Sequence, residues 1–201
     1  MSRSWSPSQC AGLLAALAVL HAPSPSSATP RWSAHVEGGP GVTDVRPLPS
    51  PSTLGGMVWA GVGVPVRPGR ATFEFAASSG DDFGIMIPEG PFSGARSLTT
   101  FLLGVEAINH ESGRGFFAAT GAGIGHATLS GATLGSQNFP SPGWKIPDRN
   151  LIGFAFGVGV GARTYGGPGP LGLQLALRFH GLVNGGQVAA SAAALTVGLA
   201  Y

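Results

Sequence analysis

Charge is scarce in this chain. Only 10% of its 201 residues are Asp, Glu, Lys or Arg, against about 25% in soluble globular domains. The 11 basic and 9 acidic residues leave a formal charge of +2. No Lys/Arg cluster forms; Arg67 and Arg70 merely flank a turn. A nucleic-acid-binding surface has no electrostatic footprint here. Cysteine is nearly absent: the single copy, Cys10, lies before an apolar stretch at 11–20. If that segment is removed on export, the mature chain has neither a disulfide nor thiol chemistry. Beyond it no continuous apolar run approaches the roughly 18 residues of a membrane-spanning helix. Histidines 35, 110, 126 and 180 show neither paired ligand spacing nor cysteine partners, so no zinc site is expected. No cofactor or metal is implied.

Glycine fills much of the gap, with 34 residues, while hydrophobic residues are an ordinary 43%. Gly and Pro cluster between apolar segments and mark turns. The N-terminus has the three parts of a secretory signal. Arg3 supplies the positive start, Ala11 to Leu20 (AGLLAALAVL) the apolar stretch, and Ser26-Ser27-Ala28 a cleavage site. Ten apolar residues are too few to cross a bilayer, which takes about 20. A signal peptide at 1–28 and one mature domain at 29–201 are therefore expected, within a single-domain length.

The mature chain alternates with a period of two. Leu171, Leu173, Leu175, Leu177 and Phe179 interleave with Gly172, Gln174, Ala176, Arg178 and His180. Leu195, Val197, Leu199 and Tyr201 interleave with Thr196, Gly198 and Ala200. Such strands have one apolar face and one small or polar face, as in a barrel with a lipid-facing wall and a filled polar lumen. Eight segments of this kind are predicted near 31–38, 54–67, 71–78, 97–108, 115–127, 150–164, 171–182 and 192–201. Most approach the roughly 9–11 residues of a tilted membrane-crossing strand. The connections alternate in length. Residues 40–53, 79–96 and 129–148 are long and 184–191 intermediate; 68–70, 109–113 and 165–170 are short. Short periplasmic turns and longer external loops sort in this way in an outer-membrane barrel. The predicted fold is thus all-β, an eight-stranded antiparallel up-and-down transmembrane β-barrel.

With the more apolar parity outward, Glu37, Arg67, Glu74, Glu106, Arg163 and Arg178 all point inward, together with His35, Gln174 and His180. An eight-stranded barrel is just wide enough for side chains to fill it. Unpaired charges there are costly, so a Glu–Arg ion-pair network is predicted from those six residues. Inward glycines, among them Gly61, Gly121, Gly157 and Gly159, leave room for the longer side chains. Trp32, Val62, Phe73, Phe101, Leu103, Phe154, Val158, Leu175, Val197 and Tyr201 are among those predicted outward. His126 does not fit the parity of its strand. The opposite assignment, a soluble lipocalin-like binding barrel, would put the charged parity in water and an apolar pocket inside.

Signal, eight segments, connection pattern and the last strand (ALTVGLAY) together resemble the small outer-membrane β-barrel superfamily of diderm bacteria. The resemblance implies an outer-membrane location in lipid and lipopolysaccharide. It also implies an assembly signal at Val197, Leu199 and Tyr201 for the barrel-assembly machinery. Residues 178–186 (RFHGLVNGG) further resemble a segment of lipid A 3-O-deacylases, which carries a catalytic His, a Ser two residues on, and Asn. Aligned on Asn184-Gly185, Gly181 takes the His position and Val183 the Ser position, and residues 191–201 contain no acid. Valine supplies no nucleophile, so no catalytic residue is assigned. A lipid A deacylase-like hydrolase, or a degenerate relative of one, remains the alternative.

The glycines at 121, 123, 125 and at 157, 159, 161 lie on one face of a strand, unlike a phosphate loop. The favoured expectation is a non-enzymatic, porin-like cell-envelope barrel. It would be structural, or bind a ligand or protein through external loops bearing Phe83, Ile85, Met86, Ile87, Phe92, Phe139 and Trp144. Apolar loop tips of that kind suit an interaction surface.

Overall fold

The computed structural model describes residues 32–46, 53–66, 69–87, 90–109, 115–134, 144–165 and 171–201. All the described elements are strands: β1 (Ser33–Val45), β2 (Thr53–Val66), β3 (Gly69–Ile87), β4 (Gly90–Ile108), β5 (Gly115–Leu134), β6 (Trp144–Lys145), β7 (Arg149–Tyr165), β8 (Gly172–Asn184) and β9 (Gln187–Ala200). Each long strand pairs antiparallel with the next, and β1 pairs with β9. The sheet therefore closes into an eight-stranded up-and-down barrel. The two-residue β6 is appended to β5 at Thr133 and Leu134. Closure removes the sheet edges that an open sheet exposes.

One end of the barrel, the base, gathers Ser33, Val66, Gly69, Ile108 and Ala200. The other, the mouth, gathers Val45, Thr53, Ile87, Gly90 and Leu134. The strands are unequal. β1, β2, β8 and β9 have 13 or 14 residues, whereas β3 and β4 have 19 and β5 has 20. This corrects the predicted connections. Residues 79–87 and 90–96 are strand rather than loop, and of 129–148 so are 129–134 and 144–145. Phe83, Ile85, Met86, Ile87 and Phe92 lie in β3 and β4, and Trp144 lies in β6; Phe139 is outside the described residues. The asymmetry between the two ends resides in strand length. Above the apolar zone a hairpin needs only its ladder of hydrogen bonds, so strict alternation lapses there and the pattern no longer announces a strand. Irregularities at 82–85, 93–95 and 182–183 all fall toward the mouth, as bulges at barrel rims do.

The connection expected at 184–191 is instead a two-residue hairpin. Gly185 and Gly186 have φ of 61° and 80°, the left-handed pair that a tight hairpin requires and that glycine adopts without strain. β1 likewise continues through Pro40, which lacks an N–H to donate. Pro40 is opposite Gly56 of β2, while the pairing with β9 passes from Gly38 directly to Gly41.

The outer surface is apolar. Leu103, Phe116, Ile124, Ile152, Val160, Leu177 and Val197 are more than half exposed. On β7 the outward residues run from Ile152 to Ala162. At about 3.3 Å per residue and a tilt of about 40°, that span rises about 25 Å, the height of a lipid-facing band. His126 is exposed on this outer side, opposite Ile152 and Thr99. It marks the mouth-side boundary, where β4 presents Thr99 and above which β4 and β5 present Ser97 and Thr128. No bulge separates it from Ile124.

The lumen is filled but is not uniformly polar, which corrects the sequence expectation. Toward the mouth it is an apolar core of Val45, Met57, Trp59, Leu98, Leu102, Leu129 and Leu182 with small alanines. Toward the base it is charged. An apolar exterior on a closed antiparallel barrel is what a lipid-facing wall requires.

Candidate functional site

The base of the lumen holds the densest chemistry in the molecule. Glu37 projects from β1 and Arg178 from β8, on the two sides of the intervening β9. The Glu37 carboxylate accepts from Arg178 Nε at 3.2 Å and from Arg178 Nη2. It also accepts from Gln174 Nε2 and, at 2.6 Å, from Thr196 Oγ1. The Arg178 guanidinium lies 4.9 Å from the Trp59 ring and 5.1 Å from the Phe117 ring. A planar guanidinium stacks on aromatic faces and pairs bidentately with carboxylate, which lysine cannot reproduce.

A second pair lies beside the first. Arg163 donates through Nη2 to Glu106 Oε2 at 2.9 Å and through Nη1 to Oε1 at 3.4 Å. Arg70 Nη1 stands 3.5 Å from the same Oε1. Arg163 Nε donates to Gln174 Oε1 at 2.7 Å. Gln174 therefore links the pairs, accepting from Arg163 with its oxygen and donating to Glu37 with its nitrogen. Charged hydrogen bonds of this kind are the strong ones, and networks of them strengthen one another inside a protein. Glu74 has a different partner: its Oε2 accepts from the Trp59 indole N–H at 3.0 Å.

Glycine makes this packing possible. A Cβ on Gly159 would lie 2.4 Å from Arg178 Nη1, and one on Gly157 would lie 2.5 Å from Leu102 Cδ1. The arginine head occupies space that any side chain at 159 would claim.

Of the six residues proposed for the network, Glu37 and Arg178 stand together, as do Glu106 and Arg163. Glu74 meets an indole rather than an arginine, and Arg67 lies outside the described residues. Arg70 was missed because its strand was started at residue 71. β3 begins at Gly69, and Arg70 shares the inward parity of Glu74, which was the available signal. Trp59 was also missed, although it shares parity with Gly61. At the mouth Arg96 Nη1 reaches Asp44 Oδ1 at 3.3 Å; both had been assigned to loops. Val197 and Leu199 face outward. Tyr201, expected to do the same, is buried with its ring 4.9 Å from Trp32. Its backbone exchanges hydrogen bonds with Ala34 at 2.7 and 3.1 Å, which holds the terminal residue against β1.

His180 is fully buried in the lumen. Its Nδ1 lies 2.9 Å from Thr100 Oγ1 and its Nε2 lies 3.3 Å from Ser78 Oγ. A catalytic Ser–His pair needs an orienting acid and access to substrate. Here the second nitrogen faces a hydroxyl and the imidazole is sealed beneath packed side chains. Gly181 faces outward, against the Phe156 ring, and the nucleophile position is Val183. Among the described residues no group of three His, Cys, Asp or Glu is placed to hold a metal.

No protein-family model matches the chain, and no curated protein does. Among solved structures the chain is similar to Ail, the attachment invasion locus protein of Yersinia pestis, in complex with the heparin analogue sucrose octasulfate. The TM-score is 0.49 and the identity 13%, over 85% of this chain and 96% of that one. It is also similar to a second crystal structure of Ail, with a TM-score of 0.46 and 10% identity over 86% of this chain and 99% of that one.

Proposed function

We propose that this chain is a non-enzymatic barrel of the outer membrane of a diderm bacterium, exported by a signal peptide at 1–28. Its lumen is a strut, and its mouth-side extension is the part available to other molecules. The observation that carries this reading is the inverted polarity of the barrel. Leucine, valine, isoleucine and phenylalanine cover the outside, and Glu37, Glu106, Arg163 and Arg178 are almost fully buried inside. Water on that exterior would leave an apolar surface far larger than soluble monomers expose. A lipid solvent removes the penalty and leaves the strand hydrogen bonds satisfied within the closed sheet.

The packed lumen favours structure over transport. Trp59, Leu98, Leu102, Leu182 and Arg178 are each at most 2% exposed, so small solutes have no open path past them. The mouth-side parts of β3, β4 and β5 rise above the apolar band and form the surface for an external ligand or protein. Val197, Leu199 and Tyr201 serve as the assembly signal in this reading. Fractionation of a diderm host expressing the full chain tests it, together with an SDS gel run with and without boiling. Outer-membrane recovery with a mobility shift on boiling is the expected result. Soluble recovery without a shift would sink it.

A further inference from the structure

The seam that closes the barrel, between β1 and β9, contains a break. Ala34 and Tyr201 exchange backbone hydrogen bonds, and Arg46 N donates to Ala189 O at 2.8 Å. Both pairs obey the register that sets Glu37 opposite Gly198 and Asp44 opposite Ser191. In an antiparallel ladder the hydrogen-bonded pairs recur at every second residue. The even residues of β1 therefore bond to the odd residues of β9, and Pro40 falls opposite Leu195. Proline has no N–H to give, so this rung is lost. The pairing accordingly passes from Gly38–Val197 to Gly41–Ala194, with no shift of register across the gap. Leu195 O still points at β1, where a Cβ on Gly39 would overlap it. A proline in a sheet belongs at an edge or a bulge; here it interrupts the ladder that completes the barrel.

The break is spanned from inside. Arg178 is opposite Ala194, on the mouth side of the lost rung, and Glu37 is opposite Gly198, on its base side. Their ion pair therefore runs along the lumen wall past Leu195 and Pro40. Thr196, next to Leu195 on β9, donates to Glu37 Oε2 at 2.6 Å, and Gln174 donates to Oε1. Apart from His35 on its own strand, at 3.7 Å, these partners of the carboxylate all belong to β8 or β9, 137 to 159 residues along the chain. A prop for the whole lumen would reach several strands; Glu37 ties the first strand to the last hairpin. On the outer side the same stretch borders an open groove of about 520 Å³, with Pro40, Gly41, Ala193 and Leu195 in its lining. The support for the break thus comes from the lumen.

We infer that the Glu37 carboxylate is the latch of a lateral seam. It holds β1 to the β8–β9 hairpin across the lost rung. Its release parts β1 from β9 while the remaining ladders stay paired. The physical basis is substitution of one kind of bond for another. The seam lacks a backbone hydrogen bond, and charge-assisted side-chain bonds, which are the stronger kind, take over at the same height. The latch follows from closure of the barrel and is independent of the medium outside it.

The test is amide hydrogen exchange of the mature chain, refolded in neutral micelles and followed residue by residue by NMR. Thr196→Val keeps both charges and the side-chain shape and removes one hydrogen bond to the carboxylate. Glu37→Gln removes the charge. A hydrogen bond to a charged group corresponds to about 10–100-fold in an opening constant. Both variants are expected to speed exchange at Val36, Gly38, Val42, Ala193 and Val197 by about that factor, and to change the β4–β5 ladder by less than about twofold, because the opening is local. Pro40→Ala restores the missing N–H and should slow exchange at the same amides by about 2–10-fold, the value of a neutral hydrogen bond. If Glu37→Gln does not fold, Thr196→Val and Pro40→Ala decide the matter. Exchange in Thr196→Val that rises equally on all strands, or not at all at the seam, overturns the latch. Seam amides no slower in Pro40→Ala than in the parent chain overturn the lost rung on which the latch depends.

Discussion

Arg178→Ala is the most informative single change. The parent residue is 2% exposed, is paired with Glu37, and lies over the Trp59 and Phe117 rings. Removing one member of a buried ion pair strands the other charge, at about 3–5 kcal/mol. The lost cation–π contacts add about 1–2 kcal/mol in a desolvated site. Two effects offset this: Glu37 keeps its donors from Gln174 and Thr196, and the neighbouring side chains relax partly into the space. A net destabilisation of at least about 3 kcal/mol is expected, the lower bound of stranding a buried charge. The assay is urea unfolding of the barrel reconstituted in vesicles, followed by tryptophan fluorescence, since Trp59 loses its stacked cation. The double variant Glu37→Leu/Arg178→Met should cost less than Arg178→Ala, because it leaves no charge unpaired. Arg178→Lys should fall between Arg178→Ala and the parent, because it keeps the charge without the planar fork. A loss below about 1 kcal/mol in Arg178→Ala, the range of an exposed pair, would refute a buried, energetically coupled network.

Four further outcomes follow from the same geometry. Gly159→Ala forces a Cβ against the Arg178 head and should cost about 1–3 kcal/mol as overpacking; in the Arg178→Ala background the same change should be near neutral, measured by the same unfolding titration. Trp59→Phe removes the N–H that Glu74 accepts and should cost about 1–3 kcal/mol, with Glu74→Gln in that background recovering part of the loss. Leu103→Arg, at mid-height on the outer wall, should cost about 2–4 kcal/mol in vesicles, whereas His126→Arg at the boundary should cost about 0–1 kcal/mol; equal costs would count against the assigned band. In planar bilayers the parent barrel should show no porin-like conductance steps, while Trp59→Ala combined with Leu102→Ala removes two of the buried side chains that fill it; steady conductance by the parent chain would contradict a filled lumen.

The period-two pattern determined much of this molecule by itself. Alternation forces successive side chains to opposite faces, so the apolar residues of Leu171 to Phe179 and of Leu195 to Leu199 share one wall. Scarce charge on the opposite parity then put Glu37, Glu106, Arg163 and Arg178 indoors. Arg70 and Trp59 follow the same parity, Arg70 at the very start of its strand and Trp59 without a charge to mark it. The tertiary structure decided what alternation cannot encode. Which inward residues meet depends on the register between strands distant in sequence. Register brings Glu37 to Arg178 and leaves Glu74 to Trp59. It also places Ala193 between Val42 and Phe179. The mouth-side lengths of β3, β4 and β5 were likewise invisible. Outside lipid a strand is held by its ladder, so its sequence is free to look like a loop. The division of the lumen into an ionic base and an apolar upper half arises only when eight strands stack their inward rows at common heights.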